Sequence, residues 1–127
     1  MPKRPEELPS RTHMPMTGCG AMPVIIGMVD DKPFEVFIKL GLNGVCGYAV
    51  GETLGKSISA ELQMGMPLFK IVKRLRGVGC PAPGLKGADQ VNTSCQDAVG
   101  LVLQTYLSEE EVRHLEKYLN KRRNRRD

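Results

Sequence analysis

The stretch Met22-Pro-Val-Ile-Ile-Gly-Met-Val-Asp-Asp-Lys-Pro-Phe-Glu-Val-Phe-Ile-Lys-Leu40 decides the fold. It contains two apolar runs, and the segment Asp30–Pro33 between them is made of residue types that favour turns. In the second run, alternate residues from Phe34 onward are apolar, whereas Glu35 and Lys39 fall between them. This period of two is typical of a strand with one buried face, although Phe37 breaks it. We therefore expect two antiparallel strands joined by a turn.

The segments around this strand pair complete an α+β domain. His13–Thr17 is a further short extended run, so we expect a small antiparallel sheet of about three strands. After the glycine turn at 41–44 the apolar period lengthens to four, at Val50, Leu54, Ile58 and Leu62, which predicts a helix over about 47–64. Strands followed by helices are typical of an α+β architecture.

Three more helices are expected, giving about four helices packed on the sheet. Pro67 suits a first helical turn, and the segment after it turns apolar residues inward and Lys70, Lys73, Arg74 and Arg76 outward, ending at Gly77. Residues 77–93 are predicted to be a long loop. Ser94 with Asp97, and Ser108 with Glu111, have the spacing of capping boxes and predict the starts of the third and fourth helices.

Charge and composition divide the chain into three parts. The 127 residues are 41% hydrophobic with a formal charge of +4, which fits one domain of ordinary composition. We expect a flexible, Pro-rich arm at 1–11, a single domain at 12–120 and a basic tail at 121–127 that carries all of the net charge. The chain start has no apolar signal segment and no apolar run is long enough to cross a membrane, so we expect a cytoplasmic protein that does not enter a membrane.

The four cysteines are the strongest functional signal. Each lies in a turn-like context, and their separations of 27, 34 and 15 residues match no short-spaced zinc or dithiol motif. In a reducing compartment thiols are more often metal ligands or redox groups than disulfides. We expect one shared site, with tetrahedral zinc as its simplest occupant and an iron–sulfur cluster as the alternative. The other interpretations are buried structural thiols and, in a secreted protein, two disulfides. The proposed ligands are Cys19, Cys46, Cys80 and Cys95.

The expected positions of two of these cysteines favour thiolates. Cys46 would lie just before the first helix and Cys95 in the first turn of the third, where the helix dipole and unpaired amides lower the pKa of a thiol. We assign no role to His13 or His114. No paired carboxylates, phosphate-binding loop or serine–histidine arrangement appears in the required context, so no complete active site is expected.

Three segments of the sequence point to a family. Thr93-Ser-Cys-Gln-Asp-Ala98, followed by an apolar helix, resembles the Thr-Ser-Cys-Pro-Asp signature of the TSCPD domain, found at the C-terminus of adenosylcobalamin-dependent ribonucleotide reductases and in small stand-alone proteins. The likeness extends through Pro33–Ile38 and Met66–Gly77, with Gln96 in place of the signature proline. It implies that the four cysteines form one cluster, and it implies a link to deoxyribonucleotide synthesis. The chain is too short to hold the reductase barrel, so the resemblance implies an accessory piece and not the ribonucleoside-diphosphate reductase itself.

Three hypotheses for function follow. The first is a metal-binding accessory or regulatory module that acts with a ribonucleotide reductase or another replication-linked protein. The second is nonspecific nucleic-acid binding through the basic tail, by Lys121, Arg122, Arg123, Arg125 and Arg126. The third is a cysteine thiol relay that delivers electrons to a reductase, which the absence of a close cysteine pair disfavours.

Overall fold

The computed structural model describes the backbone of residues 3–18, 20–39, 46–79, 84–85 and 91–126. Its elements are seven strands and four helices within those ranges: β1 (Ser10–His13), β2 (Met16–Thr17), β3 (Gly20–Ala21), β4 (Val24–Val29), β5 (Lys32–Ile38), α1 (Cys46–Gln63), α2 (Leu68–Leu75), β6 (Gly84–Leu85), β7 (Val91–Asn92), α3 (Cys95–Gln104) and α4 (Glu109–Arg126). A small antiparallel sheet followed by four helices confirms the predicted α+β class.

The central sheet has the strand order β1–β4–β5, with both pairs antiparallel. The predicted β4–β5 hairpin is confirmed, but its turn is tighter than expected because Asp30 and Asp31 alone connect the strands. Both have positive φ, 52° and 61°. Two consecutive left-handed residues are typical of the type I′ turn, whose twist matches that of a hairpin.

This turn provides a stability test. Replacing Asp30 by Asn and Asp31 by Gly is expected to raise the free energy of unfolding by about 0.5–1 kcal/mol, because Asn-Gly adopts the left-handed pair with less strain. Urea unfolding followed by circular dichroism measures the change. As a control, Asp31→Val should destabilise the protein, since a β-branched residue tolerates positive φ poorly. A stabilising Asp31→Val variant would contradict the turn assignment.

The free edge of β5 is covered by α1. The Ser59 hydroxyl accepts a hydrogen bond from the Val36 amide at 2.8 Å and donates one to the Val36 carbonyl at 3.2 Å. Further along, the Gln63 amide nitrogen donates to the Phe34 carbonyl at 3.4 Å. An unpaired strand edge invites aggregation, so a helix that satisfies its outward backbone groups protects the sheet. The contacts also show that α1 runs antiparallel to β5, because later residues of the helix contact earlier residues of the strand.

One apolar core joins the sheet to all four helices. Its buried residues come from the inner face of the hairpin, from the inward sides of the helices and from Met22: Met22, Val24, Ile26, Val36, Ile38, Ile58, Ile71, Val72, Leu75, Ala98, Val99, Val102, Leu103 and Leu115. The predicted inward side of α2 is thus confirmed. On α1 the predicted stripe holds from Leu54 onward, but Val50 is 49% exposed, because it precedes the part of the helix that packs on β5. Phe37, which breaks the strand alternation, is also exposed.

Two expectations for the first seventeen residues differ from the structure. The expected flexible arm is partly ordered: its last residues begin β1, and Arg4 binds the buried Glu35 carboxylate through two hydrogen bonds of 2.8 and 3.0 Å. This bond raises the pKa of Arg4, with the charge of Glu35 adding to the effect. Glu35 lies on the outer sheet face, where it attracts the arm. The expected strand His13–Thr17 is instead the end of β1 and the separate β2, which pairs with β3.

The C-terminal segment is also more ordered than expected. We predicted a basic tail at 121–127 beyond the domain, whereas α4 continues to Arg126. The Arg122 guanidinium donates to the Arg76 carbonyl at 3.3 Å, which fastens this part of α4 to the end of α2. Within the described ranges, no helix has the length and apolar character needed to cross a membrane.

Candidate functional site

The Thr93–Asp97 segment forms the start of α3 and a clamp around it. Ser94 is the N-cap residue, with extended backbone, and its hydroxyl accepts a hydrogen bond from the Asp97 amide at 2.9 Å. This is the cap that the sequence predicted. The Asp97 side chain, however, does not return to the Ser94 amide as in a reciprocal capping box. It turns toward the end of α2.

The Asp97 carboxylate is a buried acceptor for three donors. Its Oδ1 accepts from the Gly77 amide at 2.7 Å and from Arg76 Nε at 3.0 Å, and its Oδ2 accepts from the Thr93 amide at 3.1 Å. The residue is 3% exposed, so its contact with solvent is nearly lost. A buried carboxylate is stable only when it is paired and hydrogen-bonded, and all three donors meet that need.

Arg76 corrects one sequence expectation. It was predicted to point outward with the other basic residues of α2, but its side chain is only 19% exposed and contacts Asp97 and Gln104. The helix ends at this position, with Arg76 itself in extended conformation, so the periodicity that places Lys70 and Lys73 outside no longer applies. The sequence alone did not indicate a partner 21 residues away.

The same segment closes the predicted 77–93 loop. The Thr93 hydroxyl donates to the Val78 carbonyl at 2.8 Å, so the two ends of the loop are joined. Within the loop, β6 and β7 pair as a short antiparallel ladder, which the loop prediction did not include. Cys80 lies two residues beyond Val78 in the chain, and Cys95 lies two residues beyond Thr93.

Asn92 connects this loop to the N-terminal hairpin and was missed by the sequence analysis. It is fully buried, and its side-chain amide donates to the Met16 carbonyl at 2.8 Å. Met16 belongs to β2, which pairs with β3 in the hairpin that contains position 19. The Thr17 hydroxyl also donates to the Gly20 carbonyl across that hairpin at 2.8 Å. A lone Asn in a loop carries no signal that it will be buried.

The start of α1 lies at the same end of the sheet. Gly55, Ser59 and Gln63 contact β5 at successively earlier strand residues, so α1 is antiparallel to β5 and its first turn extends beyond the end of that strand. The Lys39 amide donates to the Pro23 carbonyl, and the Met22 amide donates to the Pro15 carbonyl, both at 2.9 Å. The end of β5 is thereby tied to the β2–β3 hairpin.

The structure describes the positions of two of the four predicted ligands. Cys95 is the first residue of α3, in the first turn as predicted, and it is half-buried and packed against the core. Cys46 is the first residue of α1 rather than the residue before it. Cys19 and Cys80 lie outside the described residues. Among the residues that are described, no three His, Cys, Asp or Glu side chains form a group that could hold a metal ion.

Each of the two histidines lies close to a side chain of another residue. His13 Nε2 lies 2.8 Å from the Tyr106 hydroxyl, and burial, together with the nearby charge of Arg11, lowers the pKa of His13. Burial likewise raises the pKa of Tyr106. His114 is exposed, 3.9 Å from the Glu110 carboxylate.

Together these contacts define an α+β domain in which a buried carboxylate clamp joins the end of α2 to the start of α3. A scan against protein-family profiles matches the TSCPD domain over residues 1–107. The chain therefore belongs to the TSCPD domain family, which is linked to the C-terminal domains of ribonucleotide reductases. Searches of curated proteins and of solved structures gave no match. The last 20 residues, which include all of α4, lie outside the family match.

Proposed function

We propose that this protein is a metal-binding accessory or regulatory module in which Cys19, Cys46, Cys80 and Cys95 together hold one metal ion. The observation that carries the proposal is the clamp at Thr93–Asp97. The hydrogen bond between Thr93 and Val78 joins the segment just before Cys80 to the segment just before Cys95. Two residues of extended chain span about 7 Å, so both sulfurs can reach a common ion from this anchor.

The choice of the remaining two ligands is supported by contacts at one end of the sheet. Asn92 holds the hairpin that contains position 19 against the start of α3. The direction of α1 brings its first residue, Cys46, toward the same end. Since thiolates at helix starts are favoured by the dipole, Cys46 and Cys95 suit a cation between these elements.

Zinc is the proposed occupant, with an iron–sulfur cluster as the alternative. Four thiolates close a tetrahedral zinc site on all sides, which is the arrangement of structural sites rather than catalytic ones. An ion there would hold the sheet, the two helices and the 77–93 loop together. We assign the module no catalytic reaction of its own. The family link supports a role beside a ribonucleotide reductase, in deoxyribonucleotide synthesis.

Metal content tests this proposal. Protein purified under reducing conditions without chelator is expected to contain about one zinc per chain, and each single Cys→Ser variant should lose zinc affinity by at least about tenfold. The exposed Ser57→Ala variant is the control and should retain the metal. Visible absorption distinguishes an iron–sulfur cluster from zinc.

Two outcomes would overturn the proposal. One is a reduced wild-type protein without stoichiometric metal. The other is a defined, reversible disulfide in a metal-free resting protein, which would favour the thiol relay. Loss of metal from three variants but not from the fourth would remove that cysteine from the ligand set.

A further inference from the structure

Two basic segments that are distant in the sequence form one surface in the structure. Residues 68–75 contain three Lys and Arg side chains, residues 117–126 contain six, and neither segment contains an acidic residue. These two segments hold half of the 18 Lys and Arg residues of the chain. The first is α2 and the second is the last part of α4, and the two helices pack together.

Tyr118 marks the line where the two helices meet. Lys73 from α2 has its Nζ 4.3 Å from the centre of the Tyr118 ring, and Arg122 from α4 has its guanidinium carbon 5.9 Å from the same centre. The face of the ring carries negative electrostatic potential, so it attracts each cation. One aromatic side chain thus holds two like charges from different helices near each other.

We define the basic face as Lys70, Lys73, Lys121 and Arg122, around Tyr118. Lys70 and Lys121 are exposed, while Lys73 and Arg122 are half-buried. Arg74 is on the same helix but is paired with Glu61, so it adds little to the field. A cavity of about 510 Å³ opens beside Tyr118, and its lining includes Phe69 and one acidic residue, Glu111.

The Glu111 carboxylate has a hydrogen-bond partner at the start of its own helix. Its carboxylate accepts a hydrogen bond from the Ser108 amide at 3.0 Å as part of the α4 capping box. His114 pairs with Glu110 on the exposed side of the first turns of α4. Among the described residues, the four cations of the basic face form no salt bridge with an acidic side chain. Like charges held together in this way favour a bound polyanion.

We propose that the basic face binds the phosphate backbone of nucleic acid across α2 and α4. A nucleic-acid strand offers one negative charge about every 3.4 Å, so a single strand can meet several cations of the face at once. Because Tyr118 is occupied by cations, it does not serve as a stacking platform for bases. Binding is therefore directed to phosphates and is independent of base sequence.

This proposal differs from binding by the basic tail alone. A flexible tail would bind through residues 121–127 without help from the rest of the domain. A two-helix face requires Lys70 and Lys73, which lie about 50 residues earlier in the chain. The contact between Arg122 and the Arg76 carbonyl keeps the two parts of the face in fixed relation. The proposal is also independent of the metal site.

Fluorescence anisotropy with a labelled 20-nucleotide oligothymidine and with a 20-base-pair duplex tests the proposal on the full chain. Wild-type protein is expected to bind with an affinity that falls steeply as salt rises. The Lys70→Gln/Lys73→Gln variant should bind several-fold more weakly, with the slope of log K against log salt reduced by about 1.4 for the single strand. The control Lys32→Gln/Lys39→Gln removes the same charge from exposed positions near the sheet and should change affinity by less than twofold.

Each contrary result identifies another explanation. Equal weakening of both double variants would show a general charge effect and would overturn the proposal. Unchanged binding by Lys70→Gln/Lys73→Gln, with loss of binding on deleting residues 121–127, would assign the binding to the tail alone. Polyglutamate that competes as well as oligothymidine at equal charge would indicate an acidic protein partner instead. Circular dichroism confirms that each variant is folded.

Discussion

Replacing Asp97 by alanine is expected to lower the free energy of unfolding by about 3–5 kcal/mol, because it removes one partner of a buried ion pair. The change leaves Arg76, whose side chain is only 19% exposed, without its carboxylate. It also leaves the amides of Gly77 and Thr93 without their acceptor. An unsatisfied buried donor costs about 1–3 kcal/mol, which adds to the effect.

Urea unfolding followed by circular dichroism measures the loss, with Glu110→Ala as the control. Glu110 is an acidic residue with a 77% exposed side chain, and its removal should change stability by less than about 0.5 kcal/mol. Asp97→Asn should fall between the two, since it keeps the shape of the side chain but loses its charge. Similar stabilities for Asp97→Ala and Glu110→Ala would show that the clamp contributes little.

Replacing Gly55 by alanine is expected to destabilise the protein by about 2 kcal/mol, although the same change in an open helix stabilises by about 1 kcal/mol. The sign reverses because α1 lies directly on the backbone of β5. A Cβ at Gly55 would lie 2.9 Å from the Val36 carbonyl oxygen and 3.4 Å from the Ile38 amide nitrogen. The helix would have to move away, and that would also weaken the Ser59 hydrogen bonds to Val36.

Thermal or urea unfolding of Gly55→Ala and Ser57→Ala gives the comparison. Ser57 is exposed on the same helix, so its replacement by alanine should be neutral or slightly stabilising. A Gly55→Ala variant as stable as the wild type would contradict the close approach of α1 to β5. Ser59→Ala provides a second measurement, because it removes the hydroxyl that satisfies Val36 without adding volume.

The role of the family signature follows from these contacts. Thr93, Ser94 and Asp97 each form a local hydrogen bond that orders the 77–93 loop or the start of α3. The signature thus builds a rigid support next to Cys95. A metal site needs ligands held in fixed positions by the groups behind them, and these residues supply such support for the proposed ligand set.

The periodicity of the sequence determined the elements. Alternation from Phe34 predicted β5, and the four-residue spacing predicted most of α1, because a buried face imposes its period on the chain. The serine and acidic residues at Ser94 and Ser108 marked the starts of α3 and α4, since capping is a local interaction between residues three positions apart. These features depend on neighbours in the sequence, so the sequence reveals them.

Only the tertiary structure decided the long-range polar contacts. The partners Asp97 and Arg76, Asn92 and Met16, and Glu35 and Arg4 are separated by 21, 76 and 31 residues. A polar residue that is buried has the same local pattern as one that is exposed, and its partner depends on how the elements pack. The cysteine spacing likewise could not show where the four proposed ligands lie, because the distances between the sulfurs depend on loop conformation and on the directions of the helices and strands.

The same distinction explains the charge of the molecule. By sequence, the net positive charge belongs to residues 121–127, and the rest of the chain is formally neutral. Packing of α2 against α4 places Lys73 and Arg122 at the Tyr118 ring, with Lys70 lining the cavity beside it. The sequence by itself determined the elements and the total charge. The tertiary structure decided the clamp and the basic face, because electrostatic and hydrogen-bond partners are chosen by distance in space.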